Sequence, residues 1–230
     1  MTIASEEVFD NQPLDALIKR HRQLPSPHTS TFGSIDLLIT EDVFDPSLTN
    51  ASRTLLESVD FRRNERVLDM FTGCGAFAIL AALNGARSVA AVDISPLAVH
   101  CTALNAKRHH VQAVVSARRG TFGECVSDEE QFDLIMANPP LLPGSPVDLL
   151  SAAMLDPGLN ATLDFIRRLP QHLSRGGRCY LLTSDVFDRS GYAIDSICHA
   201  AGMASQLVAK TDVEYETYRV HRIYWDSLPT

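Results

Sequence analysis

The chain alternates between short apolar runs and segments whose apolar residues recur at helical spacing, most regularly from residue 65 onward. The apolar runs predict strands at 66–71, 88–94, 111–118, 132–140 and 178–185. The helical segments are 76–86, 96–110, 159–174 and 191–203. The last two runs, 205–214 and 217–227, predict strands joined by a short turn. Repeated strand–helix units that end in an antiparallel hairpin predict a doubly wound α/β sheet of seven strands.

The first sixty residues lack this strict alternation. A helical pattern over 13–25 ends at two prolines, the segment 33–44 predicts a strand or a hairpin arm, and a second helix is expected over 49–61. We therefore predict a helical N-terminal cap over 1–60, followed by the main α/β domain over 61–230.

Composition and charge narrow the classes of function. The 230 residues suit one domain with a short extension, and 45% of them are apolar, which is enough for a substantial core. Charged residues interrupt every hydrophobic stretch before it reaches the roughly 18 residues of a membrane span. The acidic N-terminus lacks a signal-peptide pattern, and the net charge of −8 disfavours nucleic acid as a partner. We expect a cytoplasmic protein that binds neither membrane nor nucleic acid, and the sequence leaves its oligomeric state open.

The cysteines and histidines point to neither disulfides nor a metal site. The five cysteines are scattered, odd in number and contain no Cys-x-x-Cys pair. The close histidine pair, His109–His110, has no carboxylate or cysteine at ligand spacing. We expect no metal.

The glycine-rich loop after the first predicted strand of the main domain is the strongest single motif. The strand carries Asp69, and Gly73 and Gly75 then open a helix in VLDMFTGCGAF. Glycines at such a turn let the backbone bend sharply and approach a ligand closely. An ordinary strand–helix turn is the alternative interpretation of this motif alone.

An acidic residue ends the next predicted strand. Asp93 follows Asp69 by 24 positions, where a carboxylate can accept hydrogen bonds from both hydroxyls of a ribose. A helix N-cap is the alternative role, but the spacing from Gly73 and Gly75 favours nucleoside binding. The Gly-x-Gly-x-x-Gly pattern of nicotinamide cofactors fails, because Ala78 stands at its third glycine.

The fourth predicted strand of the main domain ends in Ala-Asn-Pro-Pro-Leu. Two consecutive prolines prevent further ladder hydrogen bonds and force the chain out as an extended segment. This fixes Asn138 at the strand tip, where its amide can accept from an amine and donate to a carbonyl.

Three segments together, 67–82, 89–106 and 132–144, resemble the class I S-adenosylmethionine-dependent methyltransferases. The closer likeness is to the Asn-Pro-Pro group, which includes release-factor glutamine methyltransferases and small-domain RNA methyltransferases. The resemblance covers residues 43–185 and implies a Rossmann-like fold with S-adenosylmethionine as cofactor.

The resemblance also implies roles for individual residues. Asp69 and the loop of Gly73 and Gly75 would line the methionine half of the cofactor, Asp93 would hold the ribose, and Asn138 would lie beside the sulfonium. The segment containing Phe44 resembles the stretch that covers the cofactor. The implied cofactor site is completed by Phe71, Ile94, Thr121, Phe122 and Pro139.

Three positions depart from the group's pattern. Thr121 and Phe122 stand where the group has an aspartate that contacts adenine, and Phe71 replaces a glycine. Leu141 occupies the place of the Tyr or Phe that stacks on the planar group being methylated. We therefore expect a small-molecule acceptor instead of a protein glutamine or a nucleobase.

Two further side chains are candidate catalytic residues. Tyr180 lies on the fifth predicted strand of the main domain, where its ring can stabilise a sulfonium through cation–π attraction. Ser184 ends that strand on the same side as the glycine-rich loop. Tyr215 and Tyr218, in the terminal hairpin, are expected to be surface or packing residues.

Two reactions fit this scaffold. The first is methyl transfer to a nitrogen, oxygen or carbon of a small molecule, with Asn138 orienting the acceptor. The second, known from a few proteins similar to these methyltransferases, belongs to secondary metabolism. There the amine of S-adenosylmethionine attacks its own γ-carbon and gives azetidine-2-carboxylate and methylthioadenosine.

Overall fold

The structure, a computed structural model, describes residues 12–226. The helices are α1 (Gln12–Arg22), α2 (Asn50–Ser58), α3 (Ala76–Leu83), α4 (Pro96–Arg108), α5 (Phe122–Cys125), α6 (Leu149–Ala152), α7 (Asn160–His172), α8 (Asp185–Arg189) and α9 (Ile194–Ala200). The strands are β1 (His28–Phe32), β2 (Ile35–Ile39), β3 (Arg66–Met70), β4 (Ser88–Asp93), β5 (Val115–Arg119), β6 (Phe132–Ala137), β7 (Leu173–Ser184), β8 (Met203–Asp212) and β9 (Thr217–Trp225). Within this part of the chain, no helix has the length and hydrophobicity to cross a membrane.

The main sheet has the order β5-β4-β3-β6-β7-β9-β8. Strands β3 to β7 are parallel, and β9 pairs antiparallel with both β7 and β8. The strand order reverses between β3 and β6, because the chain runs outward from β3 to β5 and then returns to the other side of β3. This confirms the doubly wound sheet and its antiparallel end.

The central strands are mostly apolar and are buried along nearly their whole length, because helices cover both faces of the sheet. Alternate residues of β3 point to opposite faces, so Val67 joins one core cluster and Leu68 the other. The same alternation separates Leu134 from Ile135 on β6. Each of these four side chains is at most 1% exposed.

The N-terminal region packs into the first of these core clusters. Strands β1 and β2 form an antiparallel hairpin, and Phe32 and Leu37 share the cluster with Leu55 of α2 and Val67 of the sheet. Thr54 of α2 also donates a hydrogen bond to Thr211 over 2.8 Å. The division of the chain at residue 60 stays a prediction, and residues 1–11 of the cap lie outside the described residues.

Several boundaries differ from the predicted ones for local reasons. Strand β5 begins at Val115 because the residues before it form a turn, in which the Val114 N–H donates to Val111 O over 2.9 Å. Strand β7 begins at Leu173, before Gly176, which has a positive φ of 101°. The pattern of apolar residues did not predict α8, whose N-cap is Ser184.

Candidate active site

One large cavity, of about 810 Å³, opens at the carboxyl ends of the parallel strands. This is the edge at which doubly wound sheets bind ligands. The site residues expected from the sequence that line it are Phe44, Phe71, Gly73, Asp93, Ile94, Thr121, Phe122, Asn138 and Pro139. The structure therefore brings these nine residues together around one cavity.

Asp93 and the glycine-rich loop are joined directly. The Asp93 carboxylate accepts a hydrogen bond from Gly73 N–H through Oδ2 and another from Ser95 N–H through Oδ1, each over 2.9 Å. Burial raises the pKa of the carboxyl, and these backbone hydrogen bonds oppose the rise. Each oxygen keeps a lone pair for a ligand hydroxyl, because an ionised carboxylate has about four acceptor positions.

Asp69 lies beneath the loop and does not line the cavity. Its Oδ2 accepts from Thr72 Oγ1 over 2.6 Å and from Ala78 N–H over 3.0 Å. The side chain is 1% exposed, and burial raises its pKa to about 7. The expected contact with the methionine half of the cofactor is therefore replaced by a positioning role, in which Asp69 ties the loop to the start of α3.

Gly75 also lies off the cavity wall. It is the N-cap of α3 with φ of 85°, a conformation that glycine adopts at little cost. A Cβ at this position would lie 2.9 Å from Cγ2 of Thr102. Gly75 is thus required by the packing of α3 against α4, whereas Gly73 lines the cavity and has open space where a Cβ would be.

Three phenylalanines form an aromatic wall near the ends of β3 and β5. The rings of Phe71 and Phe165 lie 6.1 Å apart at 65°, and those of Phe122 and Phe165 lie 5.6 Å apart at 29°. Phe71 has φ of 63°, which is uncommon for an aromatic residue. The hydroxyl of Thr121 donates to Glu124 over 2.9 Å, so its proton is already engaged.

Asn138 is held by a residue that the sequence pattern did not indicate. Its Nδ2 donates to Ser52 Oγ over 3.1 Å, and Ser52, on α2, is 1% exposed. With the amide nitrogen bonded to Ser52, Oδ1 is the atom of Asn138 suited to accept a hydrogen bond from a ligand N–H. Both residues line the cavity.

Neither Tyr180 nor Ser184 lines the large cavity. Tyr180 is 4% exposed and belongs to the first core cluster, because it sits four residues before the end of β7 and so lies within the sheet. Ser184 is 1% exposed, and its hydroxyl accepts from Val186 N–H over 3.3 Å as the cap of α8. In these positions neither side chain is placed to contact a ligand in the cavity.

Helix α1 covers one side of the cavity. Leu14 packs with Leu150 and Met154 in a third apolar cluster, and Arg22 forms an ion pair with Asp148 at the start of α6. The His21 ring stacks on Phe44 with centroids 6.1 Å apart. Phe44 is thus held at the cavity wall.

The cavity wall also contains a group from the turn between β8 and β9. Tyr215, Glu216 and Tyr218 line it, although the two tyrosines were expected to be surface or packing residues. Tyr218 is also part of the first core cluster. No local pattern in the sequence indicates that this terminal hairpin reaches the site. Among residues 12–226, no three His, Cys, Asp or Glu side chains are arranged to hold a metal ion.

The chain is similar to known proteins over most of its length. Residues 36–189 match the family model for the methyltransferase small domain. A Methanocaldococcus jannaschii protein, provisionally named a protein N5-glutamine methyltransferase, is 32% identical over 158 residues, covering 66% of this chain and 77% of that protein. The release factor glutamine methyltransferase of Xylella fastidiosa is 28% identical over 187 residues, covering 76% and 66% of the two chains.

Solved structures show the same fold. The ribosomal protein L11 methylase of Lactobacillus delbrueckii subsp. bulgaricus has a TM-score of 0.53 at 22% identity and covers 74% of this chain and 75% of its own. The tRNA m1G37 methyltransferase of M. jannaschii has a TM-score of 0.61 at 17% identity, covering 88% and 55%.

Proposed function

This chain belongs to the methyltransferase small-domain family of S-adenosylmethionine-dependent enzymes, and from that premise we propose that it methylates a nitrogen atom of a small-molecule acceptor held beside Asn138. The observation that carries the proposal is the hydrogen bond from Asn138 to Ser52 at the cavity wall, which fixes the amide and leaves Oδ1 for the acceptor.

The residues at the ends of β3, β4 and β5 fit the cofactor. Gly73 has no side chain between its backbone and the cavity, Asp93 offers carboxylate oxygens for a ribose, and Phe71 and Phe122 offer aromatic surface for an adenine ring. When bound, S-adenosylmethionine supplies an electrophilic methyl group on its sulfonium.

The contribution of the chain to the reaction is mainly positional. Asn138 Oδ1 accepts a hydrogen bond from the acceptor N–H, which directs the nitrogen lone pair away from the amide. Ser52 prevents the amide from rotating. Holding two reactants in a near-attack geometry can lower the barrier by about 7–11 kcal/mol. A nitrogen acceptor needs no strong base before it attacks, so positioning can suffice.

The cavity also supports a small acceptor. Pro13, Leu14 and Leu17 of α1 line it from the N-terminal side, and the segment after Asn138 lines it with Leu141 in place of an aromatic residue. A leucine offers no flat surface on which a glutamine amide or a base can stack.

Protein methylation is the second candidate, because the relatives quoted above are named for glutamine methylation and a further one, from Bradyrhizobium diazoefficiens, for ribosomal protein uL3. The cyclisation of S-adenosylmethionine receives no support from these relatives.

The test is to incubate the full chain with methyl-labelled S-adenosylmethionine and an unfractionated cell extract. The products are separated by ultrafiltration, and Asn138→Ala is the control. Label in the small-molecule fraction, absent with Asn138→Ala, is the expected result. Label only in macromolecules would overturn the small-molecule acceptor while keeping methyl transfer. Methylthioadenosine formed from the cofactor alone would overturn methyl transfer itself.

A further inference from the structure

The strand order divides the cavity into two sides. Phe71, Asp93 and Thr121 lie at or just after the ends of β3, β4 and β5, which are all on one side of β6 in the sheet. Asn138 follows β6 at the boundary. Strands β7 and β9 lie on the other side, and the turn that leads into β9 carries Glu216. The residues suited to the cofactor and Glu216 are therefore on opposite sides of Asn138.

The backbone around Glu216 is fixed. Glu216 O accepts a hydrogen bond from Val213 N–H over 2.9 Å, which closes the turn between β8 and β9. The next residue, Thr217, donates its N–H to Asp185 Oδ1 over 3.0 Å. The backbone at Glu216 is thus held by two hydrogen bonds that do not involve its carboxylate.

The Glu216 carboxylate is buried and incompletely satisfied. The residue is 8% exposed and lines the cavity, and its Oε1 accepts no hydrogen bond from the described part of the chain. Burial raises the pKa of this carboxyl, with a smaller contribution from the charge of Asp185, while the Ser184 and Tyr218 hydroxyls and the guanidinium of Arg189 oppose the rise. A buried carboxylate without a full set of partners destabilises a protein unless a ligand completes it.

Three of the other four carboxylates of the cavity have hydrogen-bond or ion-pair partners, and the fourth, Asp42, is exposed to solvent. Asp93 accepts from two backbone N–H groups, Asp156 from Ala161 and Thr162, and Asp164 forms an ion pair with Arg168. The charged residues on the wall are Asp42, Asp93, Asp156, Asp164, Glu216, Arg119 and Arg189. Carboxylates are thus in excess, which favours a positively charged occupant.

We propose that Glu216 binds a cationic group of the acceptor, an ammonium or a guanidinium, at a distance from the nitrogen that receives the methyl group. This inference rests on the proposed function and specifies its substrate class. One strand, β7, separates β6 from β9, so the strand ends that carry Asn138 and Glu216 are about two strand spacings apart, or roughly 10 Å. The acceptor therefore has two polar ends, a nitrogen beside Asn138 and a cation beside Glu216. Tyr215 and Tyr218 provide aromatic surface near the cation.

The experiment measures binding to the full chain saturated with S-adenosylhomocysteine, so that cofactor contacts are already occupied. The probes are n-butylammonium and benzylammonium, each paired with the alcohol of the same carbon skeleton, and calorimetry gives the two affinities. We expect each ammonium to bind about tenfold more tightly than its alcohol. Equal affinities, or no ammonium binding, would overturn the proposal without any variant being made.

Glu216→Gln removes the charge and keeps the shape, and Glu214→Gln, at an exposed position of the same turn, is the matched control. The ammonium preference should vanish in Glu216→Gln and persist in Glu214→Gln. Glu216→Gln should melt no lower than the wild type, because it removes an unsatisfied buried carboxylate.

The affinity for S-adenosylhomocysteine separates this proposal from the proposed function. It should be the same in the wild type and Glu216→Gln. A loss of that affinity in Glu216→Gln would show that Glu216 contacts the cofactor and would overturn its assignment to the acceptor. A wild type that fails to bind S-adenosylhomocysteine at all would instead count against the proposed function.

Discussion

The amide nitrogen of Asn138 donates a hydrogen bond to the hydroxyl of Ser52 over 3.1 Å, across 86 positions of sequence. The contact joins the tip of β6 to α2, a helix of the N-terminal region that packs against β7, β8 and β9 of the main sheet. The orientation of a residue at the candidate reaction centre thus depends on an element that precedes the first strand of the main domain.

Ser52→Ala should lower methyl transfer without lowering cofactor affinity. Removing the hydroxyl frees the Asn138 amide to rotate, and loss of alignment costs on the order of tenfold in rate. Asn138→Ala should reduce the rate further, because it also removes the acceptor contact. The measurement is the initial rate of label transfer to the small-molecule fraction, together with calorimetry for S-adenosylhomocysteine.

The matched control is Ser58→Ala, on the same helix, where the hydroxyl donates only to Thr54 O of its own helix. It should transfer label at the wild-type rate. Equal rates for Ser52→Ala and wild type would show that the Ser52 contact does not position Asn138.

Gly75→Ala should mainly reduce stability, whereas Gly73→Ala should mainly reduce cofactor binding. A Cβ on Gly75 would approach Thr102 to 2.9 Å at a φ of 85°, so Gly75→Ala should cost roughly 1–3 kcal/mol of unfolding free energy. A Cβ on Gly73 meets nothing within 4 Å but points into space that we assign to the cofactor.

Gly73→Ala should therefore lose affinity for S-adenosylhomocysteine. Its free energy of unfolding should fall by only about 1 kcal/mol, because alanine is strained at this positive φ. Urea denaturation of both variants measures the loss of stability, and calorimetry measures their affinity for S-adenosylhomocysteine. Undiminished binding by Gly73→Ala would place the cofactor elsewhere in the cavity.

Asp93→Ala should abolish detectable binding of S-adenosylhomocysteine. It removes the oxygens assigned to the ribose and also the acceptor for Gly73 N–H, so the loop loses its tie to β4. Asp93→Asn keeps one acceptor oxygen and should weaken binding by about 10- to 100-fold. Asp128→Asn, at an exposed position away from the cavity, is the control and should bind normally. Wild-type affinity in Asp93→Asn would exclude a charged ribose contact.

Periodicity sufficed for the main sheet because its strands are buried on both faces and leave long apolar runs between helices. The helix over α7 was predicted despite Pro170, since its apolar positions keep helical spacing on both sides. The glycine-rich loop and Asp93 could be recognised because they are local, each lying within a few residues of a strand end.

The remaining parts of the site depend on long-range packing. Ser52 has no motif around it, and Glu216 reaches the cavity only because β9 pairs with β7. Tyr180 was predicted as a catalytic candidate because the sequence does not show which way its ring points from β7, and in the structure the ring lies in the first core cluster. Distances between elements that are remote in sequence are set by tertiary packing, which no local pattern records.

Asp69→Asn should remove a pH dependence of stability. The folded protein holds the Asp69 carboxyl with its pKa raised to about 7, chiefly by burial, whereas the ordinary pKa of an aspartate is 3.8. Between these values the unfolded chain binds fewer protons than the folded protein, so the free energy of unfolding falls as the pH rises and the loss is complete by about pH 8.

Asparagine does not titrate, and its side-chain oxygen can still accept from Thr72 or Ala78. The free energy of unfolding of the wild type, relative to that of Asp69→Asn, should therefore decline by on the order of a few kcal/mol from about pH 5 to pH 7. Above about pH 8 the difference should stay level. Urea denaturation of both proteins across this range isolates the contribution of Asp69 to the pH dependence, because every other titrating group is common to the two. Parallel curves would mean that Asp69 is ionised in the folded protein throughout, and that Thr72 and Ala78 solvate its charge fully beneath the loop.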